Sequence, residues 1–501
     1  MWPMGYASIK NRYMYSTMKY KLLLFLTFFA GALNAYSLAP TPDLVVYPAP
    51  AGEVLSKAYK VSVSGQDVPV YIAKVASSDR KLRMKAMDDK KNSALYFEEA
   101  AFAYFDTKGK VEVTVTSPVE IKTVKILPSS YNIQPQISNS VVRFPVKPGQ
   151  NLTIEINGEI IKSLHVFANV IEKDKPSSND PNVIYYGPGI HEISRLVVKD
   201  NQTLYLAGGA VLRAVISSNE EASNTPTSGL KNKPYPPSIS LIGKDIKVRG
   251  RGVIDASACP THSRNMIMVQ GQDISIEGII LRDASLWTLP VRASDRIHID
   301  NIKLLGYRAN SDGVDICNSR EVLVENCFIR TLDDLVVIKS LKGKGDTRGI
   351  MVKKCVLWNE VAHALSLGAE INEDISDIVF TDCDVIHDFG REWSLRVYHC
   401  DAGKVSNIRF ENIRIEESKK FISLWINKDV WTTDPNRGHI DGVSFKNITV
   451  ANVPQTNVEL LGYDNAHIVN GVSFKNVSIN GKMLSADQVK KNAFVSNVTV
   501  K

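Results

Sequence analysis

From about residue 245 the chain repeats a short pattern: an apolar position, two mostly polar ones, then apolar–polar alternation. The clearest instances are "IEGIIL" (276–281), "IDNIKL" (299–304), "VENCFI" (324–329), "VKKCVL" (352–357), "FTDCDV" (380–385), "FENIRI" (410–415), "FKNITV" (445–450), "FKNVSI" (474–479) and "VSNVTV" (495–500). Their fourth positions are 279, 302, 327, 355, 383, 413, 448, 477 and 498. A strand-rich repeat of this length with no helical period predicts a solenoid. Strands that all run one way and are joined by short turns make a parallel β-helix, each coil lying about 4.8 Å above the last. Cys327, Cys355 and Cys383 fall at one place in three consecutive coils, which predicts stacked, buried free thiols, with some disulfide pairing as the alternative in an exported chain. Asn301, Asn326, Asn412, Asn447, Asn476 and Asn497 come one place earlier, where a residue that tolerates strained turns and can ladder its amide is expected.

The first half has a different rhythm. Between Asp43 and Glu172, runs such as "KAYKVSVSG", "VPVYIAKV", "VEVTVTS", "VVRFPVKP", "NLTIEING" and "LHVFANVIE" are separated by turn residues at the intervals of a β-sandwich. The polar stretch "KDKPSSNDPN" (173–182) reads as a linker, and 217–238 as a long polar loop beside a cleft. The expected organisation is all-β: a sandwich over residues 40–172, a linker over 173–183 and a catalytic β-helix over 184–501. The sandwich is expected to brace one end or edge of the helix.

Composition changes the picture mainly at the N-terminus. "MKYKLLLFLTFFAGALNA" has two lysines, an apolar run of about a dozen residues and a small-residue end, the layout of a secretory leader and too short for a membrane span. We read residues 1–35 as this leader, with Met18 a candidate start. It predicts an exported, periplasmic or extracellular protein without a membrane anchor. The formal charge of +7 falls to +3 once the leader's four cations are removed, so nothing argues for a nucleic-acid partner.

The candidate chemistry lies in "NSDGVDICNSREVLVENCFIRTLDD" (310–334). Asp312 and the pair Asp333–Asp334 are about one coil apart, which makes them neighbours on one face of a β-helix. Acids also cap turns in Asp- and Asn-rich repeats. An adjacent pair one coil after "NSDGVD" is better explained by acid–base work, because crowded carboxylates split their pKa values into an acid and a base. The spacing alone leaves retaining and inverting geometries both open. No His/Cys cluster has metal-ligand spacing, and no phosphate loop is present.

"NSDGVD", "LDD", "AHALSLGAE" and "LRVYH" together resemble the motif series of glycoside hydrolase family 28, the polygalacturonases: Asn-Thr-Asp-Gly, Asp-Asp, Gly-His-Gly and Arg-Ile-Lys. The likeness covers roughly residues 184–450, and the preceding sandwich is similar to the layout of the family 49 dextranase and isopullulanase group. The resemblance implies a right-handed parallel β-helix of the pectin-lyase-like kind. It implies Asp333 as general acid, Asp312 and Asp334 as the water-activating pair, His363 as the catalytic-site histidine and Arg396 as a substrate-binding arginine. Tyr398 stands where the family has lysine, with His399 and Asp401 following. Losing that cation and gaining Asp401 suit a neutral sugar such as an α-glucan better than galacturonan, while Lys339 in "VVIKS" could restore a charge. The resemblance thus implies an inverting O-glycosyl hydrolase acting on a polysaccharide as a monomer, without metal or organic cofactor. A non-catalytic glycan-binding β-helix and a polysaccharide lyase are the competing readings. Trp287, Trp358, Trp393, Trp425 and Trp431 are candidates for either sugar stacking or packing.

Overall fold

The repeat acquires a physical explanation in the computed structural model, which describes residues 43–88, 96–222 and 234–501. The expected leader, 1–35, lies outside these residues, as does the centre of the long polar loop, 223–233. Ile279, Ile302, Cys327, Cys355, Cys383, Ile413, Ile448 and Val477 enter one continuous buried core, with Val498 packed against it. The residue before each turns the chain by adopting positive φ: Asn301, Asn326, Asn412, Asn447, Asn476 and Asn497 lie between 51° and 56°, and Gly278, Lys354 and Asp382 fill the same corner. Left-handed backbone costs an ordinary L-residue roughly 1–2 kcal/mol, and asparagine less, because its short amide bonds locally. Those amides ladder from coil to coil, Asn476 to Asn447 and Asn447 to Asn412, at 2.9 Å each. Inside, Phe380, Phe410, Phe445 and Phe474 stack with ring centroids 4.9, 4.9 and 5.1 Å apart, the spacing of the strands themselves. All six cysteines are buried and free.

Among the described residues, the strands from Val183 to Val500 form one 31-stranded sheet wound into a right-handed parallel β-helix, parallel throughout except for a short hairpin at Ile479 and Lys482. Three strands make a coil. One column of strands, stacked coil on coil, comprises Leu289–Arg292, Val314–Cys317, Val336–Ser340, Leu365–Ile371, Leu395–His399 and Ile422–Ile426. Among the described residues no helix is long and apolar enough to cross a membrane.

Before the β-helix, a six-stranded and a five-stranded sheet enclose a second core containing Val63, Phe105, Val115, Phe144 and Val166. The sandwich does more than brace an end or an edge. Strand Phe97–Thr107 sends Ala101, Ala103 and Phe105 into the sandwich, and Ala100, Phe102 and Tyr104 against the helix. Strand Glu159–Val170 does the same with Leu164, Val166 and Ala168 on one side and Ile161 and Phe167 on the other. Their partners are Val211, Val253, Ile280, Leu305, Phe328, Val356 and Ile386, one from each of seven successive coils. A sheet buried on both faces explains why "AAFAYF" runs apolar without alternation. Buried polar contacts fix the register, among them Arg251 Nε to Asp106 at 2.9 Å and Tyr205 Oη to Glu172 at 2.9 Å.

Candidate active site

In the column running from Leu289–Arg292 to Ile422–Ile426 the side chains alternate. Val314, Ile316, Val336, Ile338, Leu365, Leu367, Leu395 and Val397 point into the core. The opposite parity faces outward, and the register aligns Asp315, Val337, Ser366 and Arg396 in one row across four coils. Each strand is entered from a loop: 306–313, 332–335, 360–364 and 389–394. These loops carry Asp312, the pair Asp333–Asp334, His363 and Glu392. The sequence-predicted acids therefore meet: Asp312, Asp333 and Asp334 each place one carboxylate oxygen within 4.8 Å of the other two.

Their surroundings split them. All three are nearly buried, so loss of solvation disfavours charge on each. Burial and the adjacent Asp334 push Asp333 up to about 6. Burial would raise Asp334 too, but His363 more than offsets it and holds this carboxyl below its usual range. The contact is His363 Nδ1 to Asp334 Oδ1 at 2.6 Å. On the other side of the ring, Arg396 Nη1 lies 3.2 Å from His363 Nε2. An ionised carboxylate only accepts, so Nδ1 carries the proton given to Asp334. Asp312 lies well above the carboxylate range through burial and then repulsion from Asp315 and Asp333. Asp315, raised by burial to about 8, has no hydrogen-bond donor on either oxygen. Four acids this close titrate as a group, and Asp334, bonded to His363, is the one held below its usual range.

Lys339 belongs to this site. It is buried, with Nζ 3.3 Å from Glu370 and 3.9 Å from Asp315, and 4.6 Å from the centroid of Trp287. Arg396 is already paired with Glu392, and its guanidinium lies 4.0 Å over the ring of Tyr398. Tyr398 is therefore not a free stacking surface. Its hydroxyl donates to Asp429, its face is covered, and it packs beside Trp425 at 5.0 Å. It props Arg396.

Two predicted binding residues are elsewhere. His399 has the inward parity of Leu395 and Val397, is fully buried, and meets Gly403 O through Nε2 at 2.6 Å. Asp401 is also fully buried and accepts from the N–H groups of Ile371, Thr433 and Asp434. It ties loops together and does not line the cleft, so the repulsion of a uronate expected from it does not arise. Trp358, Trp287 and Trp393 are packing residues, nearly or fully buried. Residues given no role from the sequence are Asp315, which stands with Asp312 in "NSDGVD", and Glu370, Glu392 and Arg292. Asp315 was legible from its parity with Arg396. Glu370 follows an irregularity in strand pairing between Ile338 and Ser340 that no sequence period reveals.

An acid held protonated, an adjacent carboxylate held ionised and a third within reach form an arrangement for proton transfer to and from one bond. The oxygens of Asp312, Asp333 and Asp334 also have the type and spacing to receive a divalent cation.

Comparison with known proteins adds the family. An endo-polygalacturonase of Pectobacterium carotovorum subsp. carotovorum is 30% identical over 131 residues, covering 25% of this chain and 30% of that enzyme. Dex49A from Penicillium minioluteum superimposes with a TM-score of 0.58 at 13% identity, over 91% of this chain and 96% of its own. A polygalacturonase from Erwinia carotovora ssp. carotovora gives 0.50 at 20% identity, over 62% of this chain and 86% of its own. The two structural likenesses show a shared fold, and the first extends over nearly the whole chain. Residues 246–501, more than half of the sequence, match the family described as glycosyl hydrolases family 28, and the chain belongs to that family.

Proposed function

We propose that this protein is an exported glycoside hydrolase that cleaves the O-glycosidic bonds of a polysaccharide by acid–base catalysis with inversion. The observation that carries the reading is the meeting of three buried carboxyls, Asp312, Asp333 and Asp334, with oxygens within 4.8 Å of one another and His363 bonded to Asp334 at 2.6 Å. Asp333 protonates the leaving glycosidic oxygen. Asp334, ionised and oriented by His363, takes a proton from the attacking water. Asp312 shares that water: two hydrogen bonds of about 2.8 Å at a tetrahedral angle span roughly 4.6 Å, and the oxygens lie within 4.8 Å. This refines the pair expected from the sequence, since Asp312 lies well above the carboxylate range and only Asp334 is held as a base. The leader-like N-terminus supports export.

For the substrate, a neutral glycan is favoured, on grounds other than those first expected. Two of the cations beside the acids are compensated from within, Arg396 by Glu392 and Lys339 by Glu370. A uronate meeting either of these two would have to displace its carboxylate. One observation favours the second reading, a uronate substrate: Arg292 forms no ion pair with a described residue and lies 5.0 Å over Trp287, in the register row of Lys339.

The test is hydrolysis of homogalacturonan, rhamnogalacturonan, dextran, pullulan and galactans by wild type and Asp333→Asn. New reducing ends lost in the variant, unchanged by a chelator and without ultraviolet absorbance from unsaturated uronate, support the assignment. Absorbance would mean a lyase. Binding without cleavage by both proteins would mean a glycan-binding protein. Proton NMR of the first product's anomeric carbon decides inversion.

A further inference from the structure

Two buried charges stand near the starts of the catalytic loops. Arg330 is three residues before Asp333, and Glu360 is three before His363. Both are completely buried, and Arg330 Nε donates to Glu360 Oε1 at 3.0 Å. The pair is costly to desolvate, and the apolar repeat beneath it does not need it. What completes it comes from the N-terminal sandwich. Arg330 Nη1 meets His165 Nε2 at 3.2 Å, and Nη2 donates to Ile161 O at 3.1 Å. Because arginine only donates, His165 Nε2 accepts and Nδ1 donates to Thr153 Oγ1 at 2.9 Å. The second oxygen of Glu360 lies 3.4 Å from Arg83 Nη1, on the short helix Arg80–Asp88. Trp358 closes the other face of Arg330, 3.6 Å from its guanidinium carbon.

A second, apolar contact reaches the same loops. Leu332, next to Asp333, and Val361, two before His363, form a small cluster with Ala76 of the sandwich, against which Met84 and Tyr96 pack. Each catalytic loop is thus held twice by the sandwich, once through charge and once through packing.

We propose that the sandwich is a positioning part of the active site. Its helix Arg80–Asp88 and strand Glu159–Val170 seat loops 332–335 and 360–364 against each other and so set the approach of His363 to Asp334. Arg83, His165, Arg330 and Glu360 act through the loops and touch no reacting atom. The rate consequence rests on the proposed hydrolase activity; the structural consequence does not.

The experiment compares full-length wild type, Arg83→Met, Arg83→Lys and Met84→Ala by hydrogen–deuterium exchange and by kinetics on whichever glycan wild type cleaves. Met84→Ala is the milder change should Arg83→Met fold poorly. Expected for Arg83→Met is faster exchange confined to peptides spanning 328–336 and 358–366. With it, kcat falls on the order of 10- to 100-fold, the scale of a misplacement of about 1 Å, while KM stays within about twofold. Arg83→Lys restores part of both losses. Met84→Ala shows the same pattern, weaker. Wild-type exchange in both peptides in Arg83→Met and Met84→Ala overturns the proposal. A wild type without activity on any glycan overturns the hydrolase reading alone, since exchange still decides whether the sandwich seats the loops.

Discussion

Two of the three corners in a coil of the β-helix are unlike. At one, a single left-handed residue reverses the chain, and asparagine repeats there through Asn412, Asn447 and Asn476. At the other, the chain leaves the sheet for loops such as 306–313, 332–335 and 360–364, and every candidate catalytic acid sits on those loops or just after them. The tight corner satisfies its amides by laddering. The loop corner leaves Asp312 Oδ1 and both oxygens of Asp315 buried without a donor. Regularity stabilises one corner, and departure from it brings repelling carboxylates together at the other. Stability and chemistry should therefore respond to different substitutions.

The largest expected effect is at the loop corner. Asp333→Asn should lower kcat by roughly 10³-fold, within the range for a general acid, and leave the melting temperature equal or higher, because a crowded charge is removed. Second is the pH profile. Asp333 must be protonated to act, so kcat/KM should fall as pH rises through about 6. Because Asp334 is held below the usual carboxylate range, the acidic limb should appear only at strongly acidic pH.

Asp315→Asn sharpens the comparison from the side of stability. Its folded pKa of about 8 lies above that of an unfolded aspartate. The group therefore costs nothing below about pH 4 and costs progressively more up to about 8. The substitution should stabilise by about 1–3 kcal/mol at pH 8, the scale for an unsatisfied buried polar group, and hardly at all at pH 4, as read by thermal unfolding. At the tight corner, Asn447→Ala should do the reverse. It puts alanine at φ 54° and breaks two ladder bonds, costing about 1–3 kcal/mol with kcat unchanged. The smallest effect is expected from Glu392→Gln, which frees Arg396. KM for an acidic glycan should drop a few-fold relative to that for a neutral one, about 0.5–1 kcal/mol for a partly exposed pair. An equal effect on both would detach Arg396 from substrate charge.

The tight corner was legible because it repeats: position four of each run is core, and the asparagine before it is the turn. The acids were legible because Asp312 and Asp333 are about one coil apart. His399 was misplaced although its parity with Leu395 and Val397 argued for the core; following the motif past the arginine outweighed the strand's own period. Asp401 could not be placed from sequence, since its donors Thr433 and Asp434 lie more than thirty residues away on a loop of unpredictable path. The sandwich was legible as a sandwich. Its seat along the helix was announced only by "AAFAYF", which lacks the alternation of a one-sided strand.

The doubly buried sheet makes the chain a single unit of inheritance. Seven coils of the helix present one apolar column, and the sandwich covers it with Ala100, Phe102, Tyr104, Ile161 and Phe167. A cut in the stretch 173–182 would leave two halves, each with an exposed apolar face of the kind that drives self-association. Recombination that exchanged the sandwich would have to supply a sheet matching seven coils at once. The same cover would give the protein one calorimetric transition in place of two.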